Sequence, residues 1–230
     1  MEAVALKIAG MSIWGDSIAK GVVYDEQRDR YMVYRDHCLL KLERETGLKI
    51  DNHAVMGNTS SQGLARMEKT ALPEGYLAII EYGGNDCDLD WKQISAQPEK
   101  RQFGRVPLER FSENIRKMIL CTREAGMKPI LVTPPPLIAQ RYFNWVARGL
   151  DASRILKYLG DVEHIYRWQE RYALMIRKIA QQENVFLLDV RDMFLAENHL
   201  SDLMCVDGIH PNAAGHDRLY TGVFNLLAHA

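Results

Sequence analysis

Ser17, Asp207 and His210 are the residues of this chain whose types and spacing could carry out acyl transfer. That chemistry needs a nucleophile, a base to take its proton, a group that orients the base, and donors for a tetrahedral oxyanion. Ser17 lies in the stretch Ile13-Trp14-Gly15-Asp16-Ser17-Ile18-Ala19-Lys20-Gly21. An apolar run leads into Gly15-Asp16-Ser17, which reads as a buried strand ending in a tight turn with the serine at the start of a helix. The hydroxyl would then project from the carboxyl edge of a sheet, where open α/β folds keep their sites. A helix N-terminus behind it would offer backbone N–H groups to a developing oxyanion. The plain alternative is an N-cap serine that closes a βα turn. Asp16 suits capping of that turn better than ionisation in catalysis.

His210 suits the base, and then the acid that protonates a leaving alcohol, because an unperturbed imidazole titrates at about pH 6.5. In Asp207-Gly208-Ile209-His210-Pro211 a loop or first helical turn can bring residues i and i+3 to one side. Asp207 would then hold the imidazole tautomer. Pro211 suits the first position of a last helix. The plain alternative for His210 is a loop histidine such as His199 or His216.

Two further blocks lie between these ends, Gly57-Asn58 and Gly83-Gly84-Asn85-Asp86. Each block alone is common; four in this order, each at a plausible strand end, are selective. The order and spacing resemble the SGNH hydrolases, also called the GDSL esterase/lipase family, over essentially the whole chain. The resemblance implies that Ser17, Gly57, Asn85 and His210 are the four name-giving residues, with Asp207 three before the histidine. It implies an oxyanion hole made by the backbone N–H groups of Ser17 and Gly57 and the side-chain amide of Asn85. It also implies a flavodoxin-like three-layer α/β/α sandwich with five parallel strands in the order 2-1-3-4-5. Family members act on acetylated sugars, lipids, thioesters and aryl esters, and need no cofactor or metal in this scheme.

The elements that must position these residues read as alternating segments. Strand-like runs cover 6–14, 48–55, 76–82, 129–132 and 185–190; helix-like patterns cover 31–46, 60–71, 108–125, 162–182 and 212–228. Such alternation argues for βα units and a parallel sheet with helices on both faces. Gly47, Gly75 and Gly126 stand where helix C-caps belong. The apolar stripe of 162–182, with Tyr166, Trp168 and Tyr172, reads as core packing rather than a cofactor site. No repeat, low-complexity tract or linker marks a boundary, so residues 1–230 read as one domain. Two connections, 86–107 and 133–161, are too long for turns. Both leave carboxyl ends of strands and carry aromatic and arginine residues. They would wall the site, or face a second copy of the chain in a homo-oligomer.

At 230 residues with 47% apolar and 26% charged residues, the composition is that of an ordinary globular protein. A net charge of −1 gives no reason to expect nucleic acid or an anionic membrane as partner. No run reaches the roughly 18 apolar residues of a membrane span, and the first residues lack an export signal, so a cytoplasmic protein is expected. Four scattered cysteines read as free thiols, and Cys87, near Asn85, as a bystander.

Rival chemistries fit less well. An α/β-hydrolase would show Gly-x-Ser-x-Gly after several strands, but Ala19 fills the last glycine position. A metal hydrolase recruiting Asp16, Asp207 and His210 lacks a His-x-x-x-His type of pair. A flavodoxin-like nucleotide-binding module would want a glycine-rich phosphate loop after the first strand. The expectation is a serine ester hydrolase acting on a small-molecule ester, with a preference for short-chain or carbohydrate-linked acyl groups, because no long apolar groove or membrane-binding helix is evident.

Overall fold

Short apolar strands alternate with helices from the start of the described chain, which covers residues 8–229 of the computed structural model. Residues 1–7, where the absence of an export signal was read, lie outside it, as do the first two residues of the expected strand 6–14. In chain order the elements are β1 (Met11–Gly15), β2 (Val22–Asp25), β3 (Arg30–Val33), α1 (Cys38–Thr46), β4 (Ile50–Asn52) and α2 (Ser60–Met67). Then come β5 (Leu77–Glu81), α3 (Gly84–Cys87), α4 (Trp91–Ala96), α5 (Leu108–Glu124) and β6 (Lys128–Val132). The chain ends with α6 (Ala139–Val146), α7 (Ala152–Leu159), α8 (His164–Gln182), β7 (Phe186–Leu188), α9 (Val190–Leu195), a 3-10 turn at Leu200–Leu203 and α10 (Ala213–His229).

Five strands form one parallel sheet in the order β4-β1-β5-β6-β7. Counted along the chain among themselves, that order is 2-1-3-4-5, the flavodoxin-like arrangement that the resemblance implies. β1 and β5 are buried at every residue, as befits strands covered on both faces. Their side chains alternate between two cores. Met11, Ile13 and Ile79 pack under α1 and α10 with Leu42 and Leu219. Trp14, Ile80 and Leu131 pack under α2, α5 and α8 with Met67, Ile115 and Ile176. Each fully buried side chain of this kind contributes roughly 1.5–3 kcal/mol. The sheet and its two helical layers are the three-layer sandwich.

The segments 86–107 and 133–161 pack on each other. Leu89 and Ile94 from the first meet Leu137, Ile155 and Leu159 from the second, together with Ile165 of α8. This third apolar cluster holds both segments over the carboxyl edge of the sheet.

Three local expectations need correction. The helix expected over 31–46 begins only at Cys38, because Arg30–Val33 pairs antiparallel with Val22–Asp25 as a hairpin. The turn between the strands carries no glycine. Instead Asp25 Oδ1 accepts the Gln27 and Arg28 N–H groups, and Asp29 takes a positive φ of 48°. Gly75 is not a helix cap, because α2 ends at Met67; Gly47, with a φ of 68° and its N–H bonded to Glu43 O, is one. Pro211 does not open the last helix. It bridges Met204, and Asn212 caps α10 by accepting the Gly215 N–H at 3.1 Å.

Gly63 tests the packing of α2 on the sheet. A Cβ there would lie within 2.1 Å of the hydroxyl of Tyr82, a fully buried side chain. Gly63→Ala gains up to about 1 kcal/mol of helix propensity, but overpacking costs about 1–3 kcal/mol. The expected net effect is a lower urea midpoint; an equal or higher one would mean that the Tyr82 ring yields.

Candidate active site

β1 ends at Gly15, level with Glu81 at the end of β5. The chain then turns sharply. Asp16 Oδ1 accepts the Ile18 N–H at 3.0 Å, Asp16 O accepts Lys20 N–H at 3.0 Å, and Ser17 O accepts Val22 N–H at 2.9 Å. No α-helix starts at Ser17; the turn leads directly into β2, which corrects the expected helix N-terminus. The N–H groups used by the turn are those of Ile18, Lys20, Gly21 and Val22, so the Ser17 N–H stands outside that set. A side chain at Gly15 would crowd Ala19 Cβ at 2.7 Å and Glu81 at 3.0 Å, so this corner is closed to anything larger.

The Asp207–His210 segment comes from the other end of the chain to meet this turn. Asp207 Oδ1 accepts the Ile209 and His210 N–H groups at 3.1 and 3.2 Å, folding the loop back on itself. Asp207 Oδ2 lies 2.6 Å from His210 Nδ1, and His210 Nε2 lies 2.8 Å from Ser17 Oγ. A carboxylate only accepts, so the ring proton sits on Nδ1 and Nε2 accepts the Ser17 O–H. Burial alone would push the Asp207 carboxyl up. The hydrogen bond and charge of His210, with the two loop N–H groups, outweigh it and hold Asp207 below its ordinary value.

Gly57 and Asn85 line the same cleft as Ser17 and His210. Gly57 has a φ of 78°, a conformation that favours glycine, and an added Cβ would meet no protein atom within 4 Å. Asn85 Nδ2 donates to Asp16 Oδ2 at 2.9 Å, which turns the amide so that its NH₂ is held on the Asp16 side. Behind it, Asp86 accepts the Ser60 N–H at 2.9 Å and the Ser60 O–H at 2.5 Å, and Asn114 donates to Ser60 Oγ at 2.9 Å. This buried network ties the start of α2, just after Gly57, to α3, which carries Asn85.

The cleft has a volume of about 170 Å³. Its wall away from Ser17 comes from the two long segments and α8: Leu89, Trp91, Leu137, Tyr142, Ile165 and Trp168. Asp88 Oδ1 accepts the Tyr142 O–H at 2.7 Å and the Trp91 indole Nε1–H at 2.9 Å; burial lifts this carboxyl above its ordinary value despite them. Cys87 also borders the cleft, but burial pushes its thiol well up, so it stays protonated. Among the described residues, no group of three or more His, Cys, Asp or Glu side chains is gathered to hold a metal ion.

A family model for the GDSL-like lipase/acylhydrolase family matches residues 13–218. The chain belongs to that family. It is a carboxylic ester hydrolase. The acylhydrolase is 22% identical to an acetylxylan esterase of Geobacillus stearothermophilus over 190 residues, 81% of this chain and 75% of that one. Solved structures share its fold. The lipase/acylhydrolase of Enterococcus faecalis has a TM-score of 0.63 at 16% identity, covering 95% of this chain and 94% of that one. A G-D-S-L family member from Veillonella parvula has a TM-score of 0.66 at 12% identity, covering 96% and 99%. Among the described residues, no helix of the acylhydrolase is long and apolar enough to cross a membrane.

Several residues in or behind the cleft carry no sequence signal. Tyr31 donates its hydroxyl to Asp207 Oδ2 at 3.0 Å from β3, a segment expected to be helical. Glu81 lies buried beside Asp16, and Asp88 was inside a segment read as a wall of the site or a contact with a second copy. Their partners are distant in sequence or set by side-chain direction, which periodicity does not report.

Asp86 offers a test of the buried network. Burial raises its carboxyl from 3.8 to about 6, so the folded state binds this proton more tightly than the unfolded chain. Its contribution to stability is therefore greatest below 3.8 and falls as pH rises to about 6. Asp86→Asn is uncharged throughout and removes that fall. Between about pH 4 and pH 7 the stability difference from urea unfolding should move in favour of the variant by on the order of 2 kcal/mol. A difference that does not change with pH would mean that Asp86 titrates normally.

Proposed function

We propose that the acylhydrolase cleaves esters through a Ser17–His210–Asp207 triad with an oxyanion hole formed by the N–H groups of Ser17 and Gly57 and the Asn85 amide. The observation that carries this reading is the unbroken contact chain from Ser17 Oγ to His210 Nε2 at 2.8 Å and from His210 Nδ1 to Asp207 at 2.6 Å. Such spacing lets His210 take the serine proton as Oγ attacks the ester carbonyl. The tetrahedral oxyanion then accepts hydrogen bonds from the three donors. His210 returns the proton to the leaving alcohol as the carbon–oxygen bond breaks. Water, activated by the same imidazole, attacks the acyl-serine and releases the acid and the free Ser17 hydroxyl. Asp207, held ionised, offsets the positive charge that His210 acquires in each half.

For the substrate we propose a short acyl group on a hydroxyl-rich, carbohydrate-like alcohol. The cleft of about 170 Å³ is smaller than the roughly 300–1,000 Å³ of sites for drug-sized ligands, which favours a small acyl group. The Trp91, Tyr142 and Trp168 side chains with the Asp88 carboxyl combine aromatic faces and an acceptor, the combination that a sugar ring uses. The likeness to an acetylxylan esterase supports the same class.

A fluorophosphonate probe should label Ser17. Ser17→Ala should lose labelling and fall by roughly 10⁴-fold or more in kcat while keeping its fold. Asn85→Ala should lower kcat by roughly 10²–10³-fold with a modest change in KM. In a p-nitrophenyl ester series the acetate should exceed the octanoate, and acetylated oligosaccharides should be deacetylated. Labelling that persists in Ser17→Ala, or activity that chelators abolish, would defeat the serine mechanism; a preference for long chains would defeat the substrate reading alone.

A further inference from the structure

Asp207 is the most heavily engaged carboxylate at the cleft, and one of its donors comes from outside its own loop. Two donors, the Ile209 and His210 N–H groups, belong to the loop and hold Oδ1. On Oδ2 the His210 ring at 2.6 Å shares the oxygen with the Tyr31 hydroxyl at 3.0 Å. Because a carboxylate offers only acceptors, the Tyr31 O–H must donate here. The tyrosine is itself held in place. Its ring lies 5.0 Å from the His210 ring, 5.1 Å from Tyr24 of β2 and 6.0 Å from Trp145 of α6. The hairpin and α6 are in turn tied to the Asp207 loop. Tyr24 N–H donates to Cys205 Sγ, Ile138 N–H to Gly208 O, and the Arg141 guanidinium to the Ser201 and Met204 carbonyls.

We propose that Tyr31 is a positioning residue of the active site, acting through Asp207 to fix the His210 ring and to set how strongly the carboxylate grips it. This inference rests on the triad reading above. Two donors on one oxygen compete. The Tyr31 hydroxyl draws electron density from Oδ2 and so limits how strongly Asp207 stabilises a protonated His210. It also blocks rotation of the carboxylate about its own axis, which would carry Oδ2 away from Nδ1. A tyrosine that served only as an apolar prop would need its ring, not its hydroxyl.

The titratable and charged groups that face this pair come from several elements. They are Tyr24 and Glu26 from the hairpin side, Cys205 and Arg141 beside the loop, Asp16 on the Ser17 turn and His216 on α10. Burial pushes the Cys205 thiol up to about 11, lifts the Tyr31 hydroxyl, and holds His216 down at about 4.

The test compares the parent, Tyr31→Phe, Asp207→Asn and the double variant, with Tyr24→Phe as control, on a short p-nitrophenyl ester from about pH 5 to 9. Tyr24 bonds Asp29, not Asp207. Tyr31→Phe keeps the ring and its aromatic contacts. It should lower kcat by about 10-fold with KM nearly unchanged, and move the acid limb of the kcat/KM profile upward by about half a unit, as the freed carboxylate favours the imidazolium. Tyr24→Phe should move neither. The double variant should be little slower than Asp207→Asn, because the tyrosine acts through that carboxylate. An unmoved acid limb in Tyr31→Phe, or additive losses in the double variant, would overturn the inference. Retained fluorophosphonate labelling of Ser17 in that same variant would leave the triad reading standing, so the two failures are distinguishable.

Discussion

Five carboxyl groups crowd the carboxyl edge of one small sheet, and only one of them is held below its ordinary value. Burial raises Asp16, Glu81, Asp86 and Asp88, whereas Asp207 is lowered. Removing a carboxylate from water is costly unless donors replace the lost hydration. Asp207 has four donors, two of them from His210 itself. Glu81 has the Asp16 carboxyl as its neighbour and is pushed well up, first by burial and then by that like charge. The five carboxyls thus differ by the company each keeps: the donors around Asp207 favour its charged form, and burial disfavours the charged form of the other four.

The sheet makes this crowding unavoidable. β1 and β5 lie side by side in parallel register and end level at Gly15 and Glu81. Whatever follows them in the chain shares one edge. The Ser17 turn and the Asn85 helix are therefore neighbours, and Asn85 bonds Asp16 across the strand gap. The Asp207 loop arrives from the far end of the chain, where α10 packs back on α1 beneath the same edge. Long segments inserted after β5 and β6 can only rise over this edge, and their apolar residues find each other there as a third cluster. That cluster gives the cleft a wall with its own packing, joined through Trp168 to the core under α2, α5 and α8.

The relatives show how little of the sequence this architecture needs. Neighbours at 12–16% identity share the fold across at least 94% of either chain. Apolar alternation into two cores is a permissive requirement, met by many side-chain combinations. The contacts among the cleft side chains are demanding by comparison, since a hydrogen bond fails with a displacement of a few tenths of an ångström.

The sequence by itself determined the five strand runs of the parallel sheet, four of the five main helices and the residues that end up around one cleft. Those features are local: an apolar run stops at Gly15, another before Gly83-Gly84-Asn85, and Asp207 and His210 are three residues apart. Local spacing dictates which groups a turn presents, so Ser17, Asn85 and His210 could be singled out without coordinates. Only the tertiary structure decided what stands behind them. The stretch around Tyr31 has a composition that serves helix or strand equally, and its hairpin turn lacks glycine, so pairing with Val22–Asp25 settled its form. The Tyr31–Asp207 bond joins residues 176 apart, and the Asp86–Ser60 bond joins residues 26 apart on different elements. Such partners are chosen by sheet register and helix packing, not by spacing along the chain. The same cause explains Ser17: the residues after it could begin a helix, but residues 18–21 close a turn that feeds the hairpin packed over Asp207 instead.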